Sequence, residues 1–195
     1  MSYLVFLGFF LLASIITSSG QTCNAVIPAT ARVRDVRRVK FYLDPSGTTI
    51  PFYIRKRIFT KAFDTWERAA CVKFAITSVK KGADIVLQFS SVTGANVVAT
   101  ATAPGPPFQV TLIFDIGETW STTPHSPPTG SLDLHSVALH LIGHGIGLEH
   151  IINPAVVMTN TILVGRFSTG TSPFIKTTLT TEDIAAAVAK YGPAC

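Results

Sequence analysis

His140 and His144 stand four residues apart within the apolar run Val137–Leu148, and a third histidine, His150, follows three residues after Gly147. Residues four apart share one face of a helix, so the two imidazoles point the same way. Gly147 can take the positive φ that turns the chain and brings His150 up beside them. Three neutral imidazoles make a zinc site with its fourth coordination position open, the arrangement of hydrolytic sites; structural sites are closed by four protein ligands. The local fold is thereby tightly constrained to a helix, a glycine turn directly after it, and a pocket over both. A lone histidine on an apolar helix is more often a core residue than a ligand, and two at helical spacing can be coincidence. Three with the glycine in register are much harder to dismiss. His125 and His135 fit no ligand pattern and default to surface or loop positions.

The run His140 to His150 has the spacing of H-E-x-x-H-x-x-G-x-x-H, with Leu141 where that pattern has glutamate, and Met158 stands at the place of the methionine turn that follows it. Other segments agree in order and spacing. Phe41-Tyr42-Leu43 resembles a first strand, Ala62-Phe63-Asp64-Thr65-Trp66 a first helix, and Ala83-Asp84-Ile85 the start of a third strand. Phe114-Asp115-Ile116-Gly117-Glu118-Thr119-Trp120 resembles an F-D-x-x-E-x-W segment, and Leu179-Thr180-Thr181-Glu182-Asp183-Ile184 the opening of a last helix. From about Val39 to Gly192 the chain resembles the matrixins, the matrix-metalloproteinase family of metzincin zinc endopeptidases, most of all their plant-type members.

The residues alone indicate α+β architecture. Pro51 to Ala70 reads as the first helix, with Pro51 in the first turn and Ile54, Ile58, Ala62 and Trp66 on one stripe. Strands are expected at Val39–Leu43, Val72–Ile76, Ile85–Phe89, Val97–Ala101 and Val110–Phe114. Asp133 is the expected N-cap of the histidine-bearing helix, and a last helix runs from Thr180 or Thr181 to Tyr191, stopped by Gly192-Pro193. The resemblance implies the rest of the metzincin catalytic-domain fold: a twisted, five-stranded, mostly parallel sheet with three helices, and a substrate cleft along the fourth strand.

The resemblance also implies roles. His140, His144 and His150 would hold one catalytic-type zinc above Met158. The family's glutamate takes a proton from the attacking water and passes it to the leaving amine, work of about 10² to 10⁴ in rate; Leu141 has similar bulk and none of that chemistry. Glu149 is a conceivable substitute but lies past the glycine turn. Asp115 and Glu118 match the family's calcium-binding acidic pair. The connection Ser90–Asn96 is too short for the family's opposing loop, so surface carboxylates closing a strand are an equal alternative. That connection also lacks ligands for a structural zinc, and Thr100 and Ile113 stand where two of its histidines would be.

Leu4 to Ile16 is an uncharged apolar run followed by Thr17-Ser18-Ser19-Gly20, too short to span a bilayer comfortably and suited to signal peptidase. The expected organisation is a secretory signal over 1–20, a short arm over 21–38 and one matrixin-like domain over 39–195, released extracellularly without a transmembrane anchor. Three cysteines in a secreted chain allow at most one internal disulfide. By the family's placement of its N-terminal segment beside the last helix, the expected pair is Cys23 with Cys195, leaving Cys71 a buried small hydrophobe; an intermolecular bridge is the runner-up. Gln21–Val26 is faintly similar to the family's inhibitory cysteine segment without its flanking arginine and aspartate.

The net charge is +5, and basic residues crowd the N-terminal half: Arg32, Arg34, Arg37, Arg38 and Lys40 on the arm, Arg55, Lys56, Arg57 and Lys61 on the first helix. A solvated helix face and polar arm is one reading; adhesion to anionic polysaccharide or a membrane surface is the other. No aromatic-plus-basic recognition motif accompanies the charge, so nucleic acid is disfavoured. The functional expectation is a monomeric, secreted, zinc-binding pseudoprotease that binds peptide or protein in its cleft. The alternatives are an active metalloendopeptidase with a non-standard base, and a defence or storage protein using the fold as scaffold.

Overall fold

The computed structural model describes residues 21–25, 38–94, 96–102, 109–123, 127–128, 130–162 and 176–195. In chain order its elements are β1 (Gln21–Ala25), β2 (Val39–Leu43), α1 (Phe52–Glu67), β3 (Phe74–Thr77), β4 (Ile85–Ser90), β5 (Val97–Ala101) and β6 (Val110–Asp115). There follow β7 (Trp120–Ser121), β8 (Leu132–Asp133), α2 (Leu134–Gly145), β9 (Thr161–Ile162) and α3 (Thr181–Tyr191).

The main sheet runs in the order β3-β2-β4-β6-β5-β1-β9. Its body is the five strands expected from the sequence, with β3, β2, β4 and β6 mutually parallel and β5 antiparallel to β6. This is the α+β architecture the residue pattern indicates, with the mostly parallel sheet that the resemblance implies. Two short strands extend it beyond β5. Residues of the expected arm form β1, parallel to β5 with Cys23 opposite Ala99, and β9 pairs antiparallel to β1.

Three fully buried residues in succession, Ile85, Val86 and Leu87, put β4 in the middle of the sheet, where both faces are covered. α1 lays Ile58, Phe59, Ala62, Phe63 and Trp66 on one face. Its rings interleave with those of the strands: Phe41 stacks on Phe63 with centroids 4.1 Å apart, and Phe59 lies 5.2 Å from Phe114. The buried stripe is wider than the spacing of Ile54, Ile58, Ala62 and Trp66 suggests, because it also takes in Arg55. That residue, expected on a solvated face, is buried. Its guanidinium donates to the carbonyls of Ile50, Asp44 and Pro45 at 3.0, 2.8 and 2.7 Å and sits between the rings of Phe52 and Phe89. A planar five-donor group can satisfy three carbonyls of a tight loop while its stem packs as a hydrophobe.

α2 is buried along its whole length and packs against α1, β5 and β6. Asp133 caps it as expected, accepting from the amides of His135 and Ser136. The indole of Trp66 donates to Leu139 O at 2.9 Å, tying α1 to α2. Among the described residues no helix is long and apolar enough to cross a membrane.

Two further expectations are overturned: His135, expected at a surface or loop position, is buried in the first turn of α2, and the cysteines pair differently. The disulfide joins Cys71 to Cys195, across 124 residues with Cα atoms 4.9 Å apart, and not Cys23 to Cys195. The reason lies in where the two chain segments end. α1 stops at Arg68, and the next residues meet the end of α3: Ala70 bridges Pro193, and Cys71 N donates to Gly192 O at 3.1 Å. Cys23 is carried in β1 at the opposite side of the sheet order, beside β5. Residues 1–20, 26–37 and His125 lie outside the described residues, so the expected signal and most of the basic arm do as well.

Candidate metal centre

The three histidines converge as their spacing requires. α2 ends at Gly145, Ile146 caps it, and Gly147 takes φ +80°. The turn is closed by Gly147 N to His144 O at 2.8 Å and Leu148 N to Gly143 O at 2.9 Å, which swings His150 back over the helix end. The Nε2 atoms of His140 and His144 are 3.0 Å apart, those of His144 and His150 3.1 Å, and one ligand nitrogen from each ring lies within 4.8 Å of the others.

The orientation of each ring is set from behind. His140 Nδ1 lies 2.8 Å from Val157 O and His144 Nδ1 2.8 Å from Leu148 O. A carbonyl can only accept, so both Nδ1 atoms carry the proton and both Nε2 atoms turn bare lone pairs toward the centre. Burial holds all three rings neutral. The His140 pKa lies well below the usual histidine value, through desolvation first and the neighbouring His144 second; His144 is lowered to about 4 and His150 is lowered, both chiefly by desolvation. Neutral imidazoles with their lone pairs crowded together are what a divalent cation requires. The donor set fits a metal ion with an open position, and His150 is only half-buried, so the cluster meets solvent on that side.

Leu141, next to His140, is fully buried in the hydrophobic core, and Glu149 is exposed. No carboxylate among the described residues joins the three-histidine group. Asp115 and Glu118 lie elsewhere, at the end of β6. Asp115 Oδ1 accepts from Gly117 N at 3.0 Å and Val92 N at 3.4 Å, closing the turn that follows the strand.

Sequence reasoning missed what supports the ligands. Asp183 lies in the first turn of α3. It caps that helix through Thr180, and its fully buried carboxylate also accepts from Val157 N and Met158 N, both at 3.0 Å. Because Val157 O holds His140, Asp183 positions that ligand through one peptide. Lys190 Nζ donates to Gly147 O at 2.6 Å and the Tyr191 hydroxyl to Ile146 O at 2.5 Å, so α3 also fixes the glycine turn. Met158 packs beneath, against Gly143. A Cβ there would collide with the methionine Sδ and come within 3.0 Å of Trp66 Cζ2, which is why this helix position is glycine. A capping box at Thr180–Asp183 was the available signal for one of these roles; nothing local announces the others.

A profile of the matrixin family matches residues 34–192. A probable matrix metalloproteinase, 095L, of Invertebrate iridescent virus 3 is 28% identical over 168 residues, 79% of this chain and 43% of the viral protein. The macrophage metalloelastase of Oryctolagus cuniculus is 33% identical over 109 residues, 50% of this chain and 22% of its own length. Matrix metalloproteinase-16 of Rattus norvegicus is 30% identical over 118 residues, 53% of this chain and 19% of its own. The chain therefore spans less than half the length of each of these relatives. With the profile running from before β2 to the end of α3, over the same residues that build the histidine cluster, the chain belongs to the matrixin family.

Proposed function

We propose that this chain is a secreted, monomeric, zinc-holding matrixin homologue whose proteolysis is lost or very weak, and whose cleft binds an extended segment of a peptide or protein partner. Leu141 carries this reading. It sits one residue after a ligand, fully buried, where a glutamate would serve as general base, and no other described carboxylate reaches the histidine group. His140, His144 and His150 would hold the zinc ion through Nε2, and the ion would supply Lewis-acid polarisation of a bound carbonyl oxygen. The residues described around the site orient it, and no described carboxylate joins the histidine group to move a proton there. Without a positioned base, hydrolysis forgoes roughly 10² to 10⁴ in rate.

Peptide binding is supported by β1. This segment lies extended between β5 and β9, pairing parallel to one and antiparallel to the other, so the slot beside β5 accepts a strand on both its edges. A partner strand would enter by displacing residues 21–25 and taking over main-chain hydrogen bonds, the mode known as β-augmentation. Secretion is supported by the apolar run Leu4–Ile16 and by the Cys71–Cys195 disulfide, a bond that persists in oxidising compartments.

The test is Leu141→Glu, assayed on a quenched peptide with added zinc and with a chelator. The variant should cleave roughly 10² faster than the unmodified chain or more, the scale of a positioned general base, and the chelator should abolish the gain. Robust, chelator-sensitive cleavage by the unmodified chain would make it an active metalloendopeptidase with a different base. A folded, zinc-loaded and still inert Leu141→Glu variant would place the defect in the cleft as well as at residue 141.

A further inference from the structure

α1 covers the middle of the sheet and only part of its β3 edge. On β3, Phe74 is covered: its ring lies 4.6 Å from that of Phe63, and its amide donates to Glu67 Oε1 at 2.6 Å. Two residues on, Ile76 faces the same side of the pleat and has no such cover. It opens into a groove of about 360 Å³ lined by Phe52 and Lys56 of α1, Tyr42 and Leu43 of β2, and Thr77. Phe52 and Lys56 are one helical turn apart, on the flank that also carries Phe63 and Glu67. Tyr53 stands beside Phe52, and Val79 follows the strand.

Four of the seven large apolar side chains exposed among the described residues line this groove or adjoin a lining residue in the chain: Phe52 and Ile76, at 43% each, line it, Tyr53 at 71% follows Phe52, and Val79 at 59% follows Ser78. Scattered exposed apolar residues are ordinary, but a cluster with a groove at its centre marks a contact surface. Its rim is basic. Lys56 lines the groove, and Lys80 and Lys81 follow Val79, all exposed. Lys80 is paired at 3.4 Å with Asp44, whose carboxylate is held ionised first by its bond from the Ser46 hydroxyl. Lys56 and Lys81 therefore carry the surplus charge.

We propose that this patch docks the protein on an anionic lipid surface, with Tyr53, Phe52, Ile76 and Val79 entering the headgroup layer and Lys56 and Lys81 meeting lipid phosphates and carboxylates. Aromatic and aliphatic side chains ringed by lysines suit that interface, where the apolar body is buried and the amines stay among anions. An acidic polysaccharide would use the lysines but offers nothing to bury four apolar side chains against. The placement also suits the cleft. β3 is one end of the sheet, while β5, β1 and β9 form the other, so docking here leaves the peptide slot free.

The purified, disulfide-bonded chain should co-sediment with phosphatidylcholine vesicles containing phosphatidylserine and far less with phosphatidylcholine alone. Tyr53→Ser with Val79→Ser, both at exposed positions, should weaken vesicle binding by roughly tenfold or more, since each removes a side chain whose burial counts for that much. Lys56→Gln and Lys81→Gln should each weaken it about fivefold on anionic vesicles, the electrostatic share of one lysine near such a surface. In Tyr53→Trp, vesicles should shift the new indole emission to the blue, a readout independent of the fold of the serine variants. The proposal is overturned by an unmodified chain that binds neither vesicle, or by vesicle binding untouched in the serine variant with no emission shift. Retention on a sulfated polysaccharide that needs the lysines but not Tyr53 and Val79, with no vesicle binding, would make the partner a soluble polyanion and overturn it equally.

Discussion

Two neighbouring positions on α2 differ in kind. His140 is held at one ring nitrogen by Val157 O, which belongs to a turn fixed by Asp183, and its other nitrogen faces two more histidines. Leu141 belongs to the hydrophobic core. Around the first, each polar group named is bonded to another through α3, the glycine turn and the methionine turn. The second is a fully buried member of the hydrophobic core whose side chain carries no polar atom. The described residues thus include a three-histidine group that could hold a metal and no carboxylate within that group. A buried network of this sort is costly unless its members are satisfied, whereas a leucine asks nothing of its surroundings.

The largest expected effect falls on the holding side. His140→Ala with His144→Ala should take bound zinc from about one ion per chain to none, because a three-imidazole site cannot survive on one ligand; Leu141→Glu should leave that stoichiometry unchanged. Elemental analysis of both variants decides it. If zinc is kept after both histidines are removed, the ligand assignment fails and the contrast with it.

Next is the frame. Cys71→Ser opens a loop of 124 residues and should cost about 4 to 5 kcal/mol in denaturant unfolding. Cys23→Ser should cost far less, and non-reducing peptide mapping should find Cys71 linked to Cys195. A Cys23 link would return the N-terminal strand to the last helix and contradict the frame described above. Smaller again is Asp183→Asn, which turns a carboxylate accepting from two amides of the methionine turn into a group with one acceptor and two surplus donors. About 2 to 3 kcal/mol of stability should go, the scale of hydrogen bonds to a charged group. Zinc affinity should fall roughly 10- to 100-fold, as when other partners behind ligating histidines are lost. Full zinc affinity in a destabilised Asp183→Asn would limit this residue to capping α3.

What the sequence disclosed divides along the same line. Periodicity located five strands and the first helix, capping and stop residues the other two helices, and the spacing of His140, His144, Gly147 and His150 the centre, because each of those signals is local. Asp183, Lys190 and Tyr191 act at positions some 25 to 45 residues away in the chain, and only tertiary packing brings them there. The same holds for Cys71, whose partner is settled by where α3 ends, and for Arg55, which composition counts as surface charge while the 44–50 loop makes it a buried scaffold. The strand at 21–25 was illegible for a further reason: Gln21, Thr22, Cys23, Asn24 and Ala25 include no large apolar residue to alternate, and they become a strand by borrowing the edge of β5.

The gentlest test uses pH on the metal-free chain. Burial lowers the folded-state pKa of His144 to about 4 and that of His140 well below its usual value, while in the unfolded chain both return to about 6.5. The unfolded state then binds more protons than the folded one throughout the interval between those values, so stability rises with pH across it. The contribution is fully present above about pH 6.5 and is lost progressively as the pH falls toward 4, at up to about 1.4 kcal/mol per pH unit for each histidine. Urea midpoints in chelator should therefore drop steadily over that range. Leu141→Glu should oppose the trend, since a carboxyl placed in the core has its pKa raised by desolvation and favours the folded state more as it takes up its proton. A flat profile in the unmodified chain would mean that the rings already exchange protons freely with solvent in the folded state, and that the buried, outward-anchored geometry of His140 and His144 does not persist without metal.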